Sequence, residues 1–178
     1  MKFLAILLAF GVIVPAADAH RLDELLQATR VSIVSNRIEL HFDLTPGVEV
    51  ARKVLGIIDP DGDGQVCPKE RAAYIRRFLI DVELRVDGKR CDLKAQSLVV
   101  PPKTDILEGE GVIQLIAVAK VPKLKPGQHE LYFCNHHLSE LSVYLANALV
   151  PSDPKLIVTG QHRDEVQKEL RVNFEVKG

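Results

Sequence analysis

Residues Ile38, Leu40, Phe42 and Leu44 alternate with Glu39, His41 and Asp43. That period of two marks a strand with one buried face, and it turns His41 toward the polar side. ATRVSIV, just before it, reads as a partner strand, with Ser35 and Asn36 as the turn. The period then changes. Thr45 and Pro46 read as an N-cap and a first-turn proline, and Ala51, Val54, Leu55 and Ile58 recur at three and four, so a helix runs from Val48 into Asp59. Beyond Glu70, the spacing of Tyr74, Ile75, Phe78 and Leu79 predicts a second helix.

From Val82 the chain returns to short alternating runs: VELRVDG, CDLKAQSLVV, VIQLIAVAKV, HELYFCN, LSVYLANALV, KLIVTGQ and LRVNFEV. DGKR, PPKTD, LKPGQ and PSDPK separate them and carry the Gly, Pro and Asp that turns require. The pattern predicts an α+β fold: a mostly antiparallel, Ig-like β-sandwich of about seven to nine strands, with a helix-loop-helix inserted over residues 47–80.

Composition changes this picture little. The chain is 47% apolar and 26% charged with a net charge of −1, as expected of a globular domain. No Lys/Arg-rich run stands out, which excludes a nucleic-acid partner on sequence grounds. The N-terminus adds more. MKFLAILLAFGVIVPAADA places Lys2 before an apolar run from Phe3 to Val14, then the small-residue pattern Ala17-Asp18-Ala19. This is the order of a secretory signal peptide over residues 1–19, and the run is short and broken by Pro15 for a membrane anchor. The expected mature chain, residues 20–178, is a single exported domain, periplasmic or extracellular, beginning at His20. No later stretch has the length and apolarity of a span, since VIQLIAVAKVP is interrupted by Gln114 and Lys120.

Three cysteines are too few for a disulfide scaffold. Cys91 and Cys134 lie in strand-like text and would pair if those strands are neighbours, leaving Cys67 over.

The densest chemistry lies in DPDGDGQVCPKE, residues 59–70. Four carboxylates so close repel one another unless a cation sits among them. Asp59, Asp61 and Asp63 stand at alternate positions and offer one hard oxygen each. Gly64 permits a left-handed turn, Gln65 contributes its backbone carbonyl, and Glu70 can bind through both oxygens. Such an all-oxygen set of about six or seven ligands suits Ca²⁺ better than Mg²⁺, and disfavours zinc and copper.

These residues resemble the EF-hand loop, and the flanking apolar spacings resemble its two helices, over roughly residues 48–80. The resemblance implies calcium binding by Asp59, Asp61, Asp63, Gln65 and Glu70. Two positions depart from the family pattern: Cys67 stands where an oxygen side chain usually holds a water, and Arg71 where an apolar residue is common. One hand is visible, although the family generally uses pairs. A looser resemblance, carried by AHRLDELLQATRVSI, DLTPG and NALVPSDPKL, is to exported bacterial domains, some of them similar to the extracytoplasmic segments that precede nickel/cobalt-type permeases. It implies an exported β-rich domain and contact with a membrane or periplasmic protein.

An alternative uses the histidines. His20, at the expected mature N-terminus, would chelate copper or nickel through its amine and ring, with His136 and His137 completing the site of a periplasmic carrier. No nucleophile triad, phosphate loop or dinucleotide fingerprint accompanies these features, so the expectation is a non-catalytic protein.

Overall fold

The computed structural model describes residues 23–178. The signal-peptide segment 1–19 and His20 lie outside them. Ten strands follow in chain order: β1 (Leu25–Val34), β2 (Arg37–Pro46), β3 (Val82–Val86), β4 (Lys89–Arg90), β5 (Leu93–Val99), β6 (Ile113–Lys120), β7 (Gly127–Asn135), β8 (Ser142–Ala148), β9 (Leu156–Arg163) and β10 (Glu169–Val176). Three α-helices, α1 (Val48–Ile58), α2 (Pro68–Ile80) and α3 (Lys103–Leu107), and a single 3-10 turn at Ser139–Leu141 join them. The strands form two five-stranded sheets, ordered β5-β6-β2-β1-β8 and β4-β3-β7-β10-β9. Every pairing is antiparallel except that of β1 with β8.

Alternation sets the register. In the β1–β2 hairpin Ile33 faces Ile38 and Val31 faces Leu40, so each pair puts its side chains on one face. Leu25, Val31 and Ile33 of β1 and Ile38, Leu40, Phe42 and Leu44 of β2 are all buried. Leu84, Leu131, Phe133, Val172 and Phe174 of the second sheet join the same core, as do Val54 and Ile58 of α1 and Tyr74 and Phe78 of α2. The polar face of β2 stays accessible, with His41 half-buried there as expected.

Helices α1 and α2 lie between β2 in one sheet and β3 in the other, so this segment is the crossover that joins the layers. An aromatic cluster fixes it. The Phe42 and Phe78 rings meet edge to face with centroids 4.8 Å apart, and Phe42 lies 6.2 Å from Phe133.

Several boundaries differ from the sequence reading. Thr45 and Pro46 complete β2 opposite Leu26 and Leu25 instead of starting the helix. Gly47 is the N-cap of α1, and its N–H donates to the Glu24 carbonyl at 2.8 Å. The proline is tolerated because β2 has already lost its β6 neighbour, whose last partner is Leu44. PPKTD, read as a turn, begins the short helix α3. The tenth strand is β4, two residues after the Asp87-Gly88 turn, where both residues have positive φ.

Cys91 and Cys134 are not bonded; all three cysteines are free. The strand order explains why. Cys91 follows β4 and Cys134 lies in β7, with β3 between those strands. Two strand spacings of about 4.8 Å separate the backbones by more than the ~7 Å that a disulfide spans.

Candidate metal centre

The acidic loop starts where α1 stops. Asp59 is the C-cap residue, 5% exposed, and its N–H donates to the Leu55 carbonyl at 2.8 Å. Both its carboxylate oxygens are used inside the loop: Oδ1 accepts the Gly62 N–H and Oδ2 the Gly64 N–H, each at 3.0 Å. The pattern repeats downstream, where Asp61 accepts the Asp63 N–H at 3.2 Å and Asp63 accepts the Gln65 N–H at 2.7 Å. Each aspartate therefore bends the backbone toward itself, and the chain curls around the carboxylates. Gly64 has a φ of 85°, the left-handed conformation expected of it.

The curl brings one oxygen each from Asp59, Asp61 and Asp63 to within 4.8 Å of one another. It is the one group of three or more candidate metal-binding side chains among the described residues. Glu70 lies outside that triad. It is 8% exposed, and its Oε2 accepts the Cys67 N–H at 2.9 Å. The Cys67 thiol accepts the reciprocal bond from the Glu70 backbone, forming a capping box, and Pro68 occupies the first helical turn. Cys67, read from the sequence only as a poor water holder, is thus the N-cap of α2. Gln65 is exposed, while Val66 turns inward and packs on the core.

The electrostatics of the loop are those of unneutralised carboxylates. The Asp63 N–H lowers the proton affinity of Asp61, but the Asp59 carboxyl, partial desolvation and the charges of Asp63 and Glu70 outweigh it, leaving the Asp61 pKa above its ordinary value. No ion pair among the described residues involves these four side chains. Lys103 approaches only the Gly62 carbonyl, at 3.5 Å. Hard oxygens, curled backbone and unmatched charge fit a hard metal cation.

Arg71, the other departure noted in the sequence, donates through Nη1 to the Leu98 carbonyl at the end of β5. Helix α2 is held at its far end as well. Asp81, its C-cap, accepts a hydrogen bond from His137 Nδ1 at 2.9 Å. His137 is fully buried, packed against the Phe78 ring at 4.5 Å and the Tyr74 ring at 5.6 Å. Desolvation pushes its pKa below the ordinary value despite Asp81, so the ring is neutral and its Nε2 an acceptor. That Nε2 and the Tyr74 hydroxyl are buried without a partner among the described residues.

Of the histidines in the carrier alternative, His20 lies outside the described residues, and the adjacent His136 and His137 point differently. His137 turns inward, whereas the adjacent His136 is exposed with Nε2 3.2 Å from the Cys134 sulfur. His129 is paired with Asp87, His41 lies on the open face of β2, and His162 is exposed on β9. Sequence reasoning missed the role of His137, whose signal is spatial: Gln27, 110 positions away, donates to its backbone carbonyl, and Asp81, 56 positions away, accepts from its ring.

No family model matches this chain, and a search of curated proteins finds no similar one.

Proposed function

We propose that the chain is a non-catalytic, exported calcium-binding protein in which the loop of residues 59–70 holds Ca²⁺ in the manner of an EF-hand. The observation that carries the reading is the convergence of Asp59, Asp61 and Asp63 within 4.8 Å on a backbone already curled by their own hydrogen bonds. In this reading Asp59, Asp61 and Asp63 supply one oxygen each, Gln65 its carbonyl and Glu70 its carboxylate. The layered sheets support an Ig-like sandwich as the scaffold, with the hand as its inserted crossover.

The chemistry assigned to the ion is structural. It neutralises four carboxylates and fixes the angle between α1 and α2, and so the surface that this end of the domain offers to a membrane or periplasmic partner. The test is calorimetric titration of chelator-treated protein with Ca²⁺, Mg²⁺ and Cu²⁺, with Asp59→Ala alongside. One calcium site, lost in the variant, is the expected result. Calcium silence combined with tight copper binding would overturn it in favour of a histidine-based carrier.

A further inference from the structure

A cavity of about 800 Å³ lies away from the acidic loop, where the edge strands β4 and β5 of the two sheets part. Six cations line it: Lys89 and Arg90 on β4, Lys94 on β5, Lys120 at the end of β6, and Lys123 and Lys125 on the connection to β7. The lining acids are Asp87 and Asp92. Asp87 is already engaged, its Oδ2 accepting from His129 Nδ1 at 2.8 Å and its Oδ1 from the Glu130 N–H at 3.0 Å. None of the six cations is ion-paired among the described residues. A chain with a net charge of −1 therefore concentrates a quarter of its 23 Lys and Arg around one cleft.

The floor of the cleft is apolar. Val86, Val118, Val121 and Leu124 form it, drawn from β3, β6 and the connection that follows β6. The walls are tied together. His129 lies between two acceptors, Asp87 Oδ2 and the Lys125 carbonyl, each 2.8 Å from a ring nitrogen, and only the doubly protonated ring donates to both. This clip joins the β3–β4 turn to the β6–β7 connection. The Asn36 and Ser35 carbonyls of the β1–β2 turn hold that connection from behind by accepting from the Val121 and Leu124 N–H groups.

An apolar floor beneath unpaired cations, in a cleft of the size that small-molecule sites occupy, defines its ligand chemically. We propose that the cleft binds an amphiphilic anion, an aliphatic body bearing a carboxylate or phosphate head. Five of the six cations are lysines, which act as mobile point charges and suit a head group that needs charge more than bidentate geometry. Such chemistry has two sources, a free acyl carboxylate or an anionic membrane lipid. The inference does not rest on the calcium reading.

The test is titration of the full chain with dodecanoate below its micelle concentration, with dodecanol and inorganic phosphate as the head-less and tail-less comparators, and flotation with phosphatidylglycerol or phosphatidylcholine vesicles. Dodecanoate is expected to bind at one site, with an affinity at least about tenfold above either comparator and falling as salt rises. Lys120→Glu/Lys123→Glu, both exposed positions, should weaken it at least about tenfold with an unchanged circular dichroism spectrum, and Leu124→Gln, at a side chain that also packs on the core and is therefore checked by the same spectrum, should weaken dodecanoate. Capture only by phosphatidylglycerol vesicles, lost in the charge-reversed variant, would support the cleft and assign its ligand to the membrane. Equal binding of dodecanol, no binding of either anionic form, or binding indifferent to the lysine reversals would overturn the proposal.

Discussion

On the proposed reading one carboxylate performs two tasks, and Glu70→Gln separates the metal from the helix. Glu70 Oε2 accepts the Cys67 N–H at 2.9 Å and the thiol returns the bond from the Glu70 backbone. A glutamine keeps an acceptor for that N–H, so α2 still starts at Pro68 and the metal-free variant loses only charge assistance, about 0.5–1.5 kcal/mol. The calcium term is larger. Extracellular hands bind at roughly 10⁻⁴–10⁻³ M. About 10 mM calcium then stabilises the folded state by about 1.4–2.7 kcal/mol. For a chain of this size each kcal/mol moves Tm by about 2–4 °C, so the native protein should gain about 3–11 °C.

In Glu70→Gln the gain should fall below about 1 °C, since a neutral amide cannot supply the two charged oxygens that the ion needs. Thermal unfolding followed by circular dichroism reads both quantities, with chelator-treated protein as the base line and about 10 mM Mg²⁺ as the ionic control. A variant that keeps the full calcium shift would place the ion elsewhere. A native protein with no shift would remove the calcium reading itself.

Phe78→Ala should cost about 3–5 kcal/mol in urea unfolding, because the ring is fully buried against Phe42 and His137 and its cavity lies between the crossover and both sheets; a loss under about 1 kcal/mol would mean that α2 is not docked there. The His129 clip sets a pH dependence: burial lowers its pKa, but the Lys125 carbonyl and Asp87 outweigh that and raise it above the usual value. A raised histidine pKa stabilises fully below about pH 6.5 and is lost as pH rises through the folded pKa, so the stability difference between native protein and His129→Gln should shrink as the pH is raised above about 6.5, and a flat difference would refute the doubly bonded ring.

The legible parts of this molecule were those written locally. Alternation in RIELHFDL fixes which side of β2 is buried, and the spacing of Val54, Ile58, Tyr74 and Phe78 fixes the faces of both long helices. The acidic loop is local too, since each aspartate bonds a backbone N–H two to five residues on. What the sequence could not display is assembled from distant segments. The six cleft cations come from separate elements and make no basic run, so they become visible only once β4 and β5 are placed at neighbouring edges. The same holds for His137, whose loop-like setting in NHHLS hides a partner at Asp81 and a roof of two aromatic rings. Thr45-Pro46 misled because capping chemistry and the end of a strand use the same residues, and pairing with Leu25 and Leu26 decided between them.

The position of the acidic loop explains how a lone helix-loop-helix is held without a second one beside it. A free hand would expose the inner faces of its helices, and pairing of hands covers them. Here α1 buries Val50, Ala51, Val54, Leu55 and Ile58, and α2 buries Tyr74 and Phe78, in the core shared by both sheets. The covalent ends are fixed as well: Gly47 is bonded to Glu24 beside β1, and Asp81 is bonded to His137 just beyond β7. Both helices are thus anchored at the ends remote from the loop, and α2 is held at its loop side as well by Arg71 on the Leu98 carbonyl. The loop carries the unmatched carboxylates, so on the proposed reading the ion acts on a few loop residues against a scaffold that is already formed. Binding energy is then not consumed in folding two helices, in contrast with metal sites that must order a whole domain.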